Sequence, residues 1–170
     1  MPMRRHPVAV AKQQSQFASL PLDHALVVRL AASFGRLREH GLRLGEIFYA
    51  KLFAAAPHLR PLFREGPEKQ AAKLIASLDI IVRNLTAPGE NAAMLAALGR
   101  RHSAYGAKPE HYGLVVELLI DSMKELSGPS ADEQTFDEWR TALTLVSRQM
   151  IAASASPSEA ASPNSPADSR

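Results

Sequence analysis

The chain has 170 residues, of which 46% are hydrophobic, and this composition predicts a soluble globular protein with one domain. Its formal net charge is +3, and the basic residues are scattered rather than gathered into a stripe, which argues against a nucleic-acid partner. Cysteine is absent, which excludes disulfides and thiolate metal sites and suits a reducing compartment. There is no apolar run near the roughly 20 residues of a membrane span and no secretory signal, so we expect a cytoplasmic protein with no membrane partner.

The two ends of the chain differ in composition from its centre. Residues 154–170 are rich in Ser, Ala and Pro and carry no large apolar side chain, which predicts a disordered tail. Residues 1–21 lack a clear periodicity, and we expect a loosely ordered N-terminal extension. Residues 22–153 therefore form the predicted domain.

Helical periodicity runs through the first half of this domain. A first helix follows a candidate cap at Asp23, and Gly41 separates it from a second helix. Pro57 and Pro61 bracket a short turn, after which a third helix begins near Pro67.

The second half continues the same pattern and contains no convincing strand. A loop over residues 87–90 leads to a fourth helix, Pro109 opens a fifth, and Gly128 ends it. A last helix carries one apolar stripe, formed by Phe136, Trp139, Leu143, Val146 and Met150. The fold class predicted from these segments is all-α.

The stretch LGRRHSAYGAKPEHY, residues 98–112, places a histidine near a helix end. Leu95 and Leu98 precede His102 by seven and four positions, so all three side chains lie on one helical face. Tyr112 follows ten residues later. A histidine on an apolar face is more often a partly buried core residue than a ligand, so the spacing alone leaves both interpretations open.

Three strings in order give the chain a family resemblance. IFYAKLFAAAPHLRPLF, KQAAKLIASLDIIV and LGRRHSAYGAKPEHY resemble the second helix, the distal helix and the proximal helix of a bacterial single-domain globin. The likeness is to the haem domain of flavohaemoglobins without the reductase module, and it covers residues 22–153. It implies a globin fold, with helices packed around a pocket for haem b.

The resemblance also assigns roles to individual residues. It makes His102 the proximal iron ligand, with Tyr112 beside its imidazole, and it places Tyr49 and Gln70 as hydrogen-bond donors on the distal, gas-binding side. The remaining implied haem contacts are Phe63, Leu74, Leu98 and Val115. Lys73 and Arg101 are candidate charged partners of the haem propionates, although basic residues on helices are mostly solvated.

The implied function is reversible binding of dioxygen, and of NO or CO, for oxygen binding, transport or sensing. One family feature is missing, because Ser154 stands where the resemblance expects a glutamate that would hydrogen-bond near the proximal histidine. An enzymatic alternative is nitric oxide dioxygenation with electrons from a separate reductase, and the missing carboxylate weakens it. A third hypothesis is a haem-free interaction module that keeps the globin fold. We expect a monomer or a homodimer.

Overall fold

The computed structural model describes residues 22–130 and 132–155, and within these ranges the chain forms α-helices and no strand. The helices are α1 (His24–Glu39), α2 (Gly41–Ala55), α3 (Pro67–Thr86), α4 (Pro88–Ala104), α5 (Pro109–Ser127) and α6 (Glu133–Ala155). Short 3-10 turns follow α2 at Pro57–Leu62 and α5 at Gly128–Ser130. The predicted all-α class is confirmed.

The predicted ends of the domain are only partly covered by these ranges. The N-terminal extension, residues 1–21, and residues 156–170 of the predicted tail lie outside the described residues. Helix α6 continues to Ala155, so it passes the predicted boundary at residue 153 by two residues.

The helices begin where local chemistry favours a helix start. The Asp23 carboxylate accepts a hydrogen bond from the Ala25 amide at 3.3 Å, which confirms the predicted cap of α1. Pro67, Pro88 and Pro109 are the first residues of α3, α4 and α5. A proline is well tolerated there, because the first amides of a helix have no partner within it.

The connection between α3 and α4 is shorter than the sequence predicted. A loop over residues 87–90 was predicted, but α4 begins at Pro88 and only Ala87 separates the two helices. The Asn91 side chain donates to the carbonyl oxygens of Arg83 at 3.1 Å and Ala87 at 3.0 Å. These bonds satisfy carbonyls at the end of α3, so the chain turns without a loop.

The core is centred on α6. Trp139 is fully buried, and its indole N–H donates to the Ser33 hydroxyl of α1 at 3.1 Å. All five residues of the predicted α6 stripe are buried, which confirms that interpretation. Next to them the buried Glu138 carboxylate pairs with Arg29 of α1, whose Nε lies 3.0 Å from Oε2.

Two close helix crossings fix the framework around the candidate site. A Cβ atom added at Gly45 of α2 would lie 2.4 Å from the Cβ of Ala71 in α3. A Cβ added at Gly99 of α4 would lie 2.5 Å from the carbonyl oxygen of Met150 in α6. Glycine is required at both crossings because the facing backbone leaves no room for a side chain.

Candidate functional site

A cavity of about 120 Å³ lies between α3, α4, α5 and α6. Its walls are mainly aliphatic, and they bring together five residues that the sequence had selected as cofactor contacts: Leu74, Leu98, His102, Tyr112 and Val115. A larger groove of about 300 Å³ lies between the start of α1 and the end of α3, but none of the predicted site residues lines it. The smaller cavity is therefore the candidate site.

His102 presents one free ring nitrogen at this cavity. Its Nδ1 atom lies 2.9 Å from the carbonyl oxygen of Leu98, one turn earlier in α4. A carbonyl only accepts hydrogen bonds, so Nδ1 must carry the proton and Nε2 keeps its lone pair. Burial lowers the pKa of His102, and the charge of Arg101 lowers it further, although the Leu98 hydrogen bond acts in the opposite direction. The side chain is a neutral imidazole with a free electron pair.

Tyr112 lies beside this imidazole. The two ring centroids are 6.4 Å apart, and both side chains line the cavity. Burial raises the pKa of the Tyr112 hydroxyl, so it stays protonated at neutral pH.

The predicted gas-side residues lie outside the lining of this cavity. Tyr49 belongs to an aromatic cluster in which its ring centroid is 5.3 Å from Phe63, and Phe63 is 5.5 Å from Phe53. The Tyr49 hydroxyl donates to the backbone carbonyl of Gln70 at 3.2 Å. Gln70 is half-buried, one turn before the cavity residue Leu74 on α3.

The ionisation of Tyr49 bears on its predicted role as a donor. Burial raises the pKa of its hydroxyl to about 12, so the group is neutral and keeps its proton throughout the physiological pH range. In the structure this proton is given to the carbonyl of Gln70. The hydroxyl and Gln70 are thus in direct contact across the α2–α3 crossing.

Comparison with known families identifies this arrangement. The family model of the globins matches residues 46–150, from the second turn of α2 to the cavity residue Met150 on α6. The chain belongs to the globin family.

Relatives of this globin include longer proteins. A flavohaemoprotein of Bordetella pertussis is 28% identical over 109 residues, which are 62% of this chain and 27% of the relative. The globin thus spans about a quarter of that relative's length. A carbene transferase engineered from a protein assigned as a nitric oxide dioxygenase of Rhodothermus marinus is similar in structure, with a TM-score of 0.70 and 28% identity. That match covers 79% of this chain and 94% of the other.

A third comparison concerns the fold alone. The flavohaemoglobin of Malassezia yamatoensis, solved with bound FAD and haem, has a TM-score of 0.66 and 22% identity to this globin. The match covers 78% of this chain and 36% of the fungal protein.

None of the helices within residues 22–130 and 132–155 combines the length and the apolar character that a membrane span requires.

The α6 side of the globin cavity carries no carboxylate in the described structure. Ser147 and Met150 of α6 line the cavity, and Ser154 lies one turn beyond Met150. The Ser154 hydroxyl donates to the Ile151 carbonyl at 2.7 Å, within its own helix. The acceptor of the His102 Nδ1 proton is a neutral backbone carbonyl, that of Leu98.

The two predicted propionate partners are exposed and do not line the cavity. Lys73 pairs with Glu65, with Nζ 3.0 Å from the carboxylate. Arg101 directs its Nε towards the Ala97 carbonyl, 3.5 Å away on the same helix. Their role towards haem stays a prediction.

Several residues that line the cavity were not selected from the sequence as cofactor contacts. They include Ser77, Leu78, Ile81, His111, Ser147 and Met150. The helical repeat places Ser77, Leu78 and Ile81 on the same face as Leu74, because they follow it by three, four and seven positions. His111, the third residue of α5, also lines the cavity.

Proposed function

We propose that this globin binds haem b, with Nε2 of His102 as the protein ligand of the iron. The observation that carries the proposal is the hydrogen bond between Nδ1 and the Leu98 carbonyl, 2.9 Å long, because it leaves the lone pair of Nε2 available at an apolar cavity. Bound haem would supply an iron atom that can bind a diatomic gas. The domain that does so is proposed to comprise residues 22–153.

The residues around His102 suit a porphyrin. Leu74, Leu98 and Val115 offer aliphatic surface for the faces of a flat apolar ring, and they reach the cavity from three different helices. No buried side-chain nitrogen or oxygen in the described residues lacks a hydrogen-bond partner. Imidazole is also the usual protein ligand of haem iron in globins.

The proposed ligand is dioxygen, with NO and CO as further gases. A neutral hydrogen-bond donor directed at the gas would slow the release of dioxygen, which would carry partial negative charge in such a site. The Tyr49 hydroxyl is such a donor, and it is already paired with Gln70, the second proposed donor. If the hydrogen bond from the Tyr49 hydroxyl to the Gln70 carbonyl breaks, the hydroxyl can donate to the gas instead. Reversible binding, for transport, storage or sensing of oxygen, is the proposed output.

Reconstitution with hemin tests this proposal. We expect the purified chain to take up one equivalent of hemin and to develop a sharp Soret band that shifts when the reduced form is exposed to CO. The His102→Ala variant should lose that CO-sensitive spectrum, and added imidazole should restore it. An exposed histidine, His40, gives the matched control, because His40→Ala should behave like the parent. Identical spectra in the parent and the His102→Ala variant would refute the ligand assignment.

A second candidate function is nitric oxide dioxygenation with electrons from a separate reductase. It is favoured by the similarity to the Rhodothermus marinus protein, at 28% identity over most of both chains. Against it stands the neutral acceptor of the His102 proton, since a carboxylate acceptor would increase electron donation to the iron. The test is the rate at which the haem-loaded protein consumes nitric oxide when a reductase is supplied. A rate no higher than that of free hemin would remove this candidate.

The third hypothesis is an interaction module without haem. It predicts that the chain stays folded and colourless after incubation with hemin. The free lone pair of His102 at the cavity supports the haem protein instead.

A further inference from the structure

A pair of histidines lies near the edge of the same cavity, and one of the two lines it. His58, in the 3-10 turn Pro57–Leu62, and His111, the third residue of α5, have ring centroids 6.2 Å apart and an interplanar angle of 59°. His58 is exposed, whereas His111 is half-buried and lines the cavity. One ring therefore lies in solvent and the other borders the cavity. The function proposed above assigns no role to either.

The hydrogen bonding of His111 fixes which ring nitrogen carries its proton. Its Nδ1 accepts a hydrogen bond from the Lys108 backbone amide at 3.1 Å, so the lone pair of Nδ1 is occupied. In the neutral ring the proton must then be on Nε2, which makes Nε2 a donor. His111 therefore offers an N–H group to a ligand at the cavity edge.

This protonation argues against a metal site. A metal ion needs the lone pair of a ring nitrogen, and coordination through Nε2 would move the proton to Nδ1, opposite the Lys108 amide hydrogen. No group of three or more His, Asp or Glu among the described residues could hold a metal ion either. A pair of imidazole N–H donors instead suits an acceptor with two oxygens, which is a carboxylate.

We propose that His58 and His111 bind a propionate carboxylate of the haem. The inference rests on the proposed haem site, since it needs a carboxylate that emerges from the cavity where His111 lines it. It differs from the sequence-based assignment of Lys73 and Arg101, which stays a prediction. Both of those side chains lie outside the cavity lining, and Lys73 is already paired with Glu65.

The test is the rate at which haem leaves the reconstituted full-length chain for an excess of apomyoglobin. His58→Leu removes one donor from an exposed position. His111→Glu keeps a side-chain acceptor for the Lys108 amide, as a glutamate does at the third position of a helix, and places negative charge against the propionate. We expect haem release to become at least about fivefold faster in His58→Leu, the loss expected for one hydrogen bond, and faster still in His111→Glu.

Hemin dimethyl ester distinguishes an effect on the propionate carboxylate from an effect on the rest of the haem, because its propionates are esterified and uncharged. With this ester, His58→Leu, His111→Glu and the parent should release haem at the same rate. His40→Leu, at an exposed histidine that does not line the cavity, should match the parent with both haems.

Each outcome of this test bears on the pair. Faster release confined to native haem supports the assignment. Equal acceleration with both haems would show that the pair acts by packing, and unchanged release in both variants would show that it makes no contact; either result overturns the inference and leaves the role of His102 intact. Failure of the parent to bind any hemin would overturn the proposed function together with the inference.

Discussion

Gly99 of α4 contacts the backbone of Met150 in α6 so closely that a Cβ atom at position 99 would lie 2.8 Å from the Met150 Cα. A Gly99→Ala substitution must therefore push the two helices apart. We expect it to lower the free energy of unfolding by about 1 to 3 kcal/mol, the usual cost of overpacking, in urea titrations of the apoprotein. Haem release should also accelerate, because His102 lies three residues further along α4.

Gly113 supplies the matched control for this substitution. It lies inside α5, and a Cβ atom added there would meet no other atom within 4 Å. Gly113→Ala should raise the free energy of unfolding by about 0.5 to 1 kcal/mol, because alanine favours a helix more than glycine does. Similar effects of the two substitutions would contradict the close crossing of α4 and α6.

The Glu138–Arg29 pair predicts a pH-dependent stability. The hydrogen bond from Arg29 holds the pKa of the Glu138 carboxyl below its usual value. A lowered pKa in the folded protein means that the pair stabilises the fold above the unfolded-state pKa, about 4.3. The stabilisation disappears as the pH falls through the lowered folded-state value. In urea titrations the parent should be more stable than Glu138→Gln at pH 7, and the difference should vanish in strong acid. A difference that grows on acidification would contradict the pairing.

The hydroxyl of Tyr49 offers a test of the gas-binding side. Tyr49→Phe removes the donor to the Gln70 carbonyl and should cost about 1 kcal/mol of stability. If the same hydroxyl serves the bound gas, dioxygen release measured by stopped flow should be about fivefold faster, which corresponds to one lost hydrogen bond. The CO release rate gives the internal control, since CO gains little negative charge. An unchanged dioxygen release rate would limit Tyr49 to a structural role.

A carboxylate introduced at position 154 tests whether this position acts on the proximal histidine, His102. Ser154→Glu places an acidic group one turn beyond Met150, in the last turn of α6. An acceptor that competes with the Leu98 carbonyl for the His102 proton would increase electron donation to iron. The iron–histidine stretching frequency in resonance Raman spectra should then rise, whereas Ser154→Gln, with a neutral amide, should leave it near the parent value. The negative charge at a helix C-terminus should also cost about 0.3 to 1 kcal/mol. Equal frequencies in both variants would show that this position does not act on His102.

The sequence predicted the helices best where a single residue fixes their start. Asp23, Pro67 and Pro109 each begin a helix as expected, because capping and proline geometry are local effects. Pro88 misled the prediction, since Pro-Gly is also typical of a turn. In the structure the Asn91 side chain donates to carbonyls at the end of the preceding helix, a contact that the local sequence does not reveal.

The site was predictable to the extent that it lies on single helical faces. Leu98 and His102 are four residues apart, so their shared position at the cavity follows from the helical repeat. The hydrogen bond between Tyr49 and the Gln70 backbone could not be inferred. Every residue has a backbone carbonyl, so the sequence does not show which one accepts. The contact of His58 with His111 joins residues 53 positions apart, and only the folded chain brings them together.

The single residue between α3 and α4 has a mechanical consequence. Helix α3 carries Gln70 and Leu74, helix α4 carries His102, and Ala87 with the Asn91 hydrogen bonds ties the two helices at one end. Such a short connection leaves the two helices little freedom to slide past each other. If they separate, the distance between them must therefore increase from the joined end towards the opposite end. That far end is where α4 meets Gly106, whose φ of +98° suits a reversal of the chain. A large planar guest would therefore enter and leave beside Gly106, and substitutions there should alter the speed of loading more than its final extent.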